Sequence, residues 1–135
     1  MTMFNSIGIA QSGIGTYKAW IDAISDNVAN VNTVRSTSEP AFQTRYVLAQ
    51  AVENGGVGAG VRVGGIELSD GEGKLVSMPD HPLADENGMV RMPDVDLSEQ
   101  MTTMIMAQRG YQASTSQLDR VRESYQSAIA MGHLS

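Results

Sequence analysis

The residues best suited to chemistry are acids, and they crowd one stretch: Asp80, Asp85, Glu86, Asp94 and Asp96. Carboxylates this close together invite a calcium site, which needs several hard oxygen ligands. The EF-hand spacing is missing, however, and helix caps and turns explain these acids more simply. The glycine run from Gly55 to Gly65 invites a phosphate-binding loop. It contains neither GxGxxG nor the Walker pattern, and no helical pattern follows it, so a mobile loop is expected. The only histidines, His81 and His133, stand in a proline-rich stretch and at the end of the chain. Neither shares a motif with a nucleophile, and both read as solvated surface. Nine methionines raise an adaptable groove, since Met101, Met104 and Met106 sit close together. The simpler reading makes Met101 and Met104 packing residues and turns Met106 to a second neighbour. Cysteine is absent, which removes disulfides and thiolate chemistry. The expectation is a chain with no catalytic residue, no metal and no cofactor.

The elements around these residues carry a clearer signal. Met3, Ile7, Ala10, Ile14, Tyr17, Ile21, Ile24, Val28 and Val31 step by alternating fours and threes. Near the other end, Leu97, Met104, Tyr111, Leu118 and Tyr125 fall seven apart, with Met101 and Ile129 at the companion position. Both patterns predict helices packed along a long seam, as in a coiled coil. The first helix is expected over residues 5–32. Gly8, Gly13 and Gly15 lie inside it, each costing about 1 kcal/mol relative to alanine, so packing must sustain it. Asn27, Asn30 and Asn32 suit its exit, through left-handed backbone or local hydrogen bonds. The last helix should start at Asp94 or Asp96, with Asp96 and Glu99 forming a capping box. Running to Met131, it would be about 55 Å long at ~1.5 Å per residue. Gln108, Thr115 and Arg122 interrupt its companion positions, which suits a helix with several neighbours, some across wet contacts.

Between the helices the pattern changes. Residues 34–40 form a polar linker. Phe42, Thr44, Tyr46 and Leu48 alternate with polar residues, predicting a strand with one buried face. Asn54 to Gly60 reads as a glycine-rich loop and Val61 to Ser69 as a second strand, with a bulge at Gly64–Gly65. A turn at 70–73 precedes a short strand from Lys74 to Met78. The stretch from Pro79 to Pro93 reads as extended.

The 135 residues suit one domain, 41% hydrophobic but only 5% aromatic. Too few rings remain in the middle to anchor an independent core. A net charge of −6 disfavours nucleic acid and anionic lipid. No segment has the length of a membrane span, and the N-terminal residues do not read as a secretory signal. The fold class expected is mainly α with a small β insertion: terminal helices pairing as a coiled coil around a short β-rich middle.

Several segments resemble a known family. Ser25-Asp-Asn-Val-Ala-Asn-Val-Asn-Thr33 resembles the signature ending the first helix of bacterial flagellar axial proteins. Pro82-Leu-Ala-Asp85, Gly88-Met-Val90 and Pro93-Asp-Val-Asp96 resemble the run before the last helix in the FlgC-type proximal rod family. Glu99-Gln-Met101 and Ala107-Gln-Arg-Gly-Tyr-Gln-Ala113 are similar to the start and middle of that helix. Asp94 and Ser114 each stand where that family usually has asparagine, and Val28 where it has leucine.

The resemblance implies a non-enzymatic structural subunit of the proximal rod in the flagellar basal body. Its terminal helices would pair antiparallel, line a tube and transmit torque. Residues 1–33 and 94–135 would form a discontinuous axial domain, and 34–93 a small β-rich connecting segment. Expected partners are its own copies, proximal and distal rod proteins, the flagellar type III export apparatus and, outermost, a bushing ring. Neither nucleic acid nor membrane insertion is expected. The implied location is the periplasmic or cell-wall part of the basal body, reached without a cleaved signal. Seams and signature together nominate an assembly surface of Ile7, Ile14, Tyr17, Ile21, Ile24, Asn27, Val28, Asn30, Leu97, Met101, Met104, Tyr111, Leu118, Tyr125 and Ile129. The alternative is a cytoplasmic coiled-coil adaptor or export chaperone. A small hydrolase has no motif in its favour.

Overall fold

The computed structural model describes residues 3–134, with side chains from Phe4 onward. Met3, the first residue of the expected seam, therefore has its side chain outside the described residues. The order is α1 (Met3–Ala29), β1 (Arg45–Asn54), β2 (Val57–Leu68), β3 (Lys74–Ser77), β4 (Met89–Met92) and α2 (Leu97–His133). This is the expected class, two long terminal helices around a β-containing middle.

The helices run antiparallel. Phe4 meets Tyr125 with ring centroids 5.9 Å apart, and Gly13 faces Ser114. Further along, Tyr17 lies on Gly110, and Asn27 bonds Gln100 at 3.0 Å. Asp96 caps α2, its side chain accepting from Glu99 N–H at 3.1 Å, which satisfies one orphan donor of the first turn. The exit of α1 works by one of the two expected routes only. No non-glycine residue among those described adopts positive φ. Instead Asn30 Nδ2 donates to the Asp26 carbonyl at 2.9 Å, and Thr33 Oγ1 donates to Asn30 Oδ1 at 3.0 Å.

β1 and β2 form a two-stranded antiparallel ribbon lying on α1. The bulge expected at Gly64–Gly65 is present, between the pairs Leu48–Gly65 and Ala49–Val63, and a second falls opposite Val52 and Glu53. Three expectations are corrected. The glycine-rich loop shrinks to Gly55 and Gly56, whose φ of 61° and 81° make a tight hairpin turn. Strand β1 starts at Arg45 rather than Phe42, and it carries no single buried face. Thr44 is buried, but Tyr46 and Leu48 are exposed, because no second layer covers that side of the ribbon.

β3 pairs with β4, a strand hidden in what read as an extended proline-bounded stretch. Val90 and Met92 alternate inward with half-buried Met89 and Arg91, but four residues give too short a period to read. Arg35 bridges Arg91 through two 2.8 Å backbone bonds, fastening the linker to this hairpin.

Candidate assembly interface

The inner side of α2 is built from small and polar residues. Gln100, Ala107, Ser114 and Val121, seven apart, turn toward α1 along with Gly110 and Leu118. Close approach requires this. A Cβ on Gly110 would sit 2.3 Å from the Tyr17 ring, which also stacks on Trp20 at 6.2 Å. The same economy holds at Gly60, where a Cβ would meet Ser12 Oγ at 2.4 Å. That hydroxyl donates to the Ile9 carbonyl and accepts from Val61 N–H, pinning β2 to α1.

Asn27 is the central polar node, 1% exposed. Its Nδ2 donates to the Arg45 carbonyl at 2.9 Å and to Gln100 Oε1 at 3.0 Å. Its Oδ1 accepts from Arg45 N–H at 2.9 Å. One side chain thus joins α1, β1 and α2, with every bond buried or half-buried. Outside this node, Arg45 pairs with Asp26 at 2.5 Å and lies over the Phe42 ring.

The nominated residues divide. On α1, Ile24 and Asn27 are buried, while Ile7, Ile14, Tyr17, Ile21, Val28 and Asn30 are half-buried. On α2, Leu118 is buried and Met104 half-buried. Leu97, Met101, Tyr111, Tyr125 and Ile129 are exposed, Met101 by 51%. Of the apolar heptad of α2, Leu118 is buried and Tyr125 meets Phe4, while Leu97 and Tyr111 stay exposed, so the heptad is only in part the seam between the two helices. Large side chains cannot fit where the Tyr17 ring rests on bare backbone, so they occupy the flank and outer face. Ile105 continues the Leu97 and Met101 row at a spacing of four, while Met106 and Met131 are exposed on another side of the helix. The sequence reading missed Gln100, Ala107 and Gly110 as packing residues because their types carry no hydrophobic signal. The seven-residue spacing of Gln100 and Ala107 was the available clue, with Gly110 three residues further on.

The acids of the connecting segment do local structural work. Asp85 Oδ1 accepts from Asn87 N–H and Met89 N–H, both at 2.9 Å, and Oδ2 from Thr37 Oγ1 at 3.1 Å. The Met89 N–H above all holds its carboxyl below the ordinary value. Partial burial opposes this, and the Asn87 and Thr37 donors add to it. Arg91 reaches the carbonyls of Glu72 and Thr37. His81 is half-buried rather than solvated, its Nδ1 accepting from Leu83 N–H at 3.0 Å. His133 is exposed in the last turn of α2, as expected. Among the described residues, no three His, Cys, Asp or Glu group to hold a metal, and no helix is long and apolar enough to cross a membrane. A cavity of about 450 Å³ between α1, β2 and α2 is lined by Ile9, Ala10, Gly13, Gly58, Gly60, Val61, Ser114 and Gln117, none of them titratable.

Residues 86–131 match the family model for the C-terminal part of flagellar basal body rod FlgEFG proteins. The whole chain is similar to the flagellar basal-body rod protein FlgC of Borreliella burgdorferi, 34% identical over 97% of this chain and 98% of that one. It is 30% identical to the Salmonella typhimurium FlgC protein over 98% and 99% of the two chains. The Aquifex aeolicus FlgC protein is 31% identical over 93% and 94%. The chain belongs to the FlgC family of flagellar basal-body rod proteins. The segment shared with the FlgEFG model holds β4 and nearly all of α2, including Gln100, Ala107, Gly110 and Leu118. Of the positions that differ from the usual FlgC-family pattern, Asp94 is exposed. Ser114 faces Gly13, where its hydroxyl is 3.0 Å from where a Cβ would stand.

Proposed function

We propose that this FlgC-family chain is a structural subunit of the flagellar proximal rod, assembling with other rod proteins through the outer face of α2 and the flanks of α1. One observation carries this reading: a row of large apolar side chains, Leu97, Met101 and Ile105, stays exposed along α2 while its buried positions are Gln100, Ala107 and Leu118. An exposed apolar row of this length is a surface for a partner. Residues 1–33 and 94–135 form the axial layer. Residues 34–93 stand outside them, tied to α1 by Asn27 and Ser12. The work is mechanical. Torque passes through many side-chain contacts, and neither metal nor cofactor takes part. Export by the flagellar type III apparatus brings the subunit to the periplasmic or cell-wall part of the basal body. The absence of cysteine and the glycine-weakened α1 suit a chain that travels unfolded.

The subunit is expected to fractionate with detergent-stripped basal bodies. Recovery in the cytosol alone would favour the adaptor or chaperone reading, which the FlgC relatives do not favour.

A further inference from the structure

Strand β1 has a finished side and an unfinished one. Thr44 turns its carbonyl to Ser69 N–H, and Arg45 turns its N–H and C=O the other way, to Asn27. Antiparallel pairing alternates these directions residue by residue. Val61, the partner of Ala51, also points outward, to Ser12. The outward backbone groups of β1 therefore belong to Val47, Ala49, Ala51 and Glu53. Among the described residues they have no hydrogen-bond partner. Natural sheets blunt such edges with charge, proline or a cover. Here Tyr46 to Val52 carries no charge, no glycine and no proline. Both bulges lie on β2, leaving the β1 edge regular.

We infer that two copies of this chain pair through their β1 edges, antiparallel about Gln50, into one continuous four-stranded sheet. The register follows from the outward groups. Centring on Gln50 sets Val47 of one copy opposite Glu53 of the other, and Ala49 opposite Ala51. All four outward residues then exchange hydrogen bonds. Leu48 falls opposite Val52, joining apolar side chains. Glu53 lies diagonal to Arg45 of the other copy, on the same face, and no like charges oppose each other. A one-residue slip would set outward groups against inward ones. The contact is isologous, so it closes at two copies and does not grow. It describes the subunit outside the rod and does not rest on the rod reading.

Light scattering on the purified full chain should give twice the 14.4 kDa monomer mass at micromolar concentration. Gln50 faces itself across the two-fold axis as a non-hydrogen-bonded pair, whose Cα separation suits a disulfide. Gln50→Cys should oxidise to a covalent dimer, and Leu48→Cys, displaced from its own symmetry mate, should not. Ala49→Lys, with unchanged circular dichroism, should return the mass to one copy. If that variant loses helicity, the cross-linking pattern alone decides. Three results overturn the inference: monomeric wild-type chain throughout, Leu48→Cys cross-linking as readily as Gln50→Cys, or growth beyond two copies.

Discussion

Around β4 the chain buries its central apolar side chains, though Leu75 and Leu83 stay exposed, whereas along α2 most of the large ones are left outside. Val90 is wholly buried, Met92 and Ala41 nearly so, and Asp85, Thr37 and Arg91 satisfy the turns and linker around them. Along α2 the residues turned inward are mostly small or polar, with Leu118 the large exception, while Leu97, Met101 and Ile105 stay exposed. A segment that must hold its shape alone encloses its apolar groups. A helix that shows its largest ones is half of a larger contact. The difference teaches which residues act within the subunit and which between subunits.

Substitutions at the inner positions should break this contrast by damaging both. Leu118→Asp places a carboxylate in a buried apolar site without a partner, costing about 3 kcal/mol or more. The isolated chain should lose its cooperative helical melt and the cell its rods; an unchanged melt would remove Leu118 from the intrachain seam. Asn27→Ala should cost about 1–3 kcal/mol, because the Arg45 backbone and Gln100 Oε1 lose their buried partner. Denaturant titration measures it, and a null result would mean water replaces the side chain.

Asp85→Asn should have a smaller effect that sharpens the comparison by acting on the β3–β4 side alone. The folded carboxyl titrates below its ordinary 3.8, so its ionised form stabilises the fold. That contribution is present above pH 3.8 and is lost as pH falls through the lowered folded value. Wild type should exceed the mutant in melting temperature near neutral pH, and the gap should close in acid. A constant gap would show that the carboxyl's charge is not what the Met89 and Asn87 donors stabilise.

The sequence made the helices, their order, the Asp96 cap and the Gly64 bulge legible, because periodicity and turn chemistry are local. It did not say which side of α2 faces α1. A 3.5-residue repeat of large side chains says that a helix has a packed stripe, but not which neighbour covers it. Gly110 decides that here, and a glycine in a helix signals only weakened propensity until the Tyr17 ring is seen resting on it. Asn27 was legible through the signature around it, but its three-way bonding needed the position of Arg45. Strand β4 and the exposed side of β1 escaped for related reasons, one too short for a period and the other lacking the second layer its alternation implied.

The claim that the outer row of α2 meets other subunits is tested most directly by the reactivity of one position in two states. The chain has no cysteine, so Met101→Cys provides a single label on that row. In the isolated subunit a maleimide should modify it rapidly, as the 51% exposure of Met101 requires. In purified basal bodies carrying the same variant, the thiol should be protected. Equal reactivity in both states would contradict the account, leaving the apolar row of α2 without a partner in the rod.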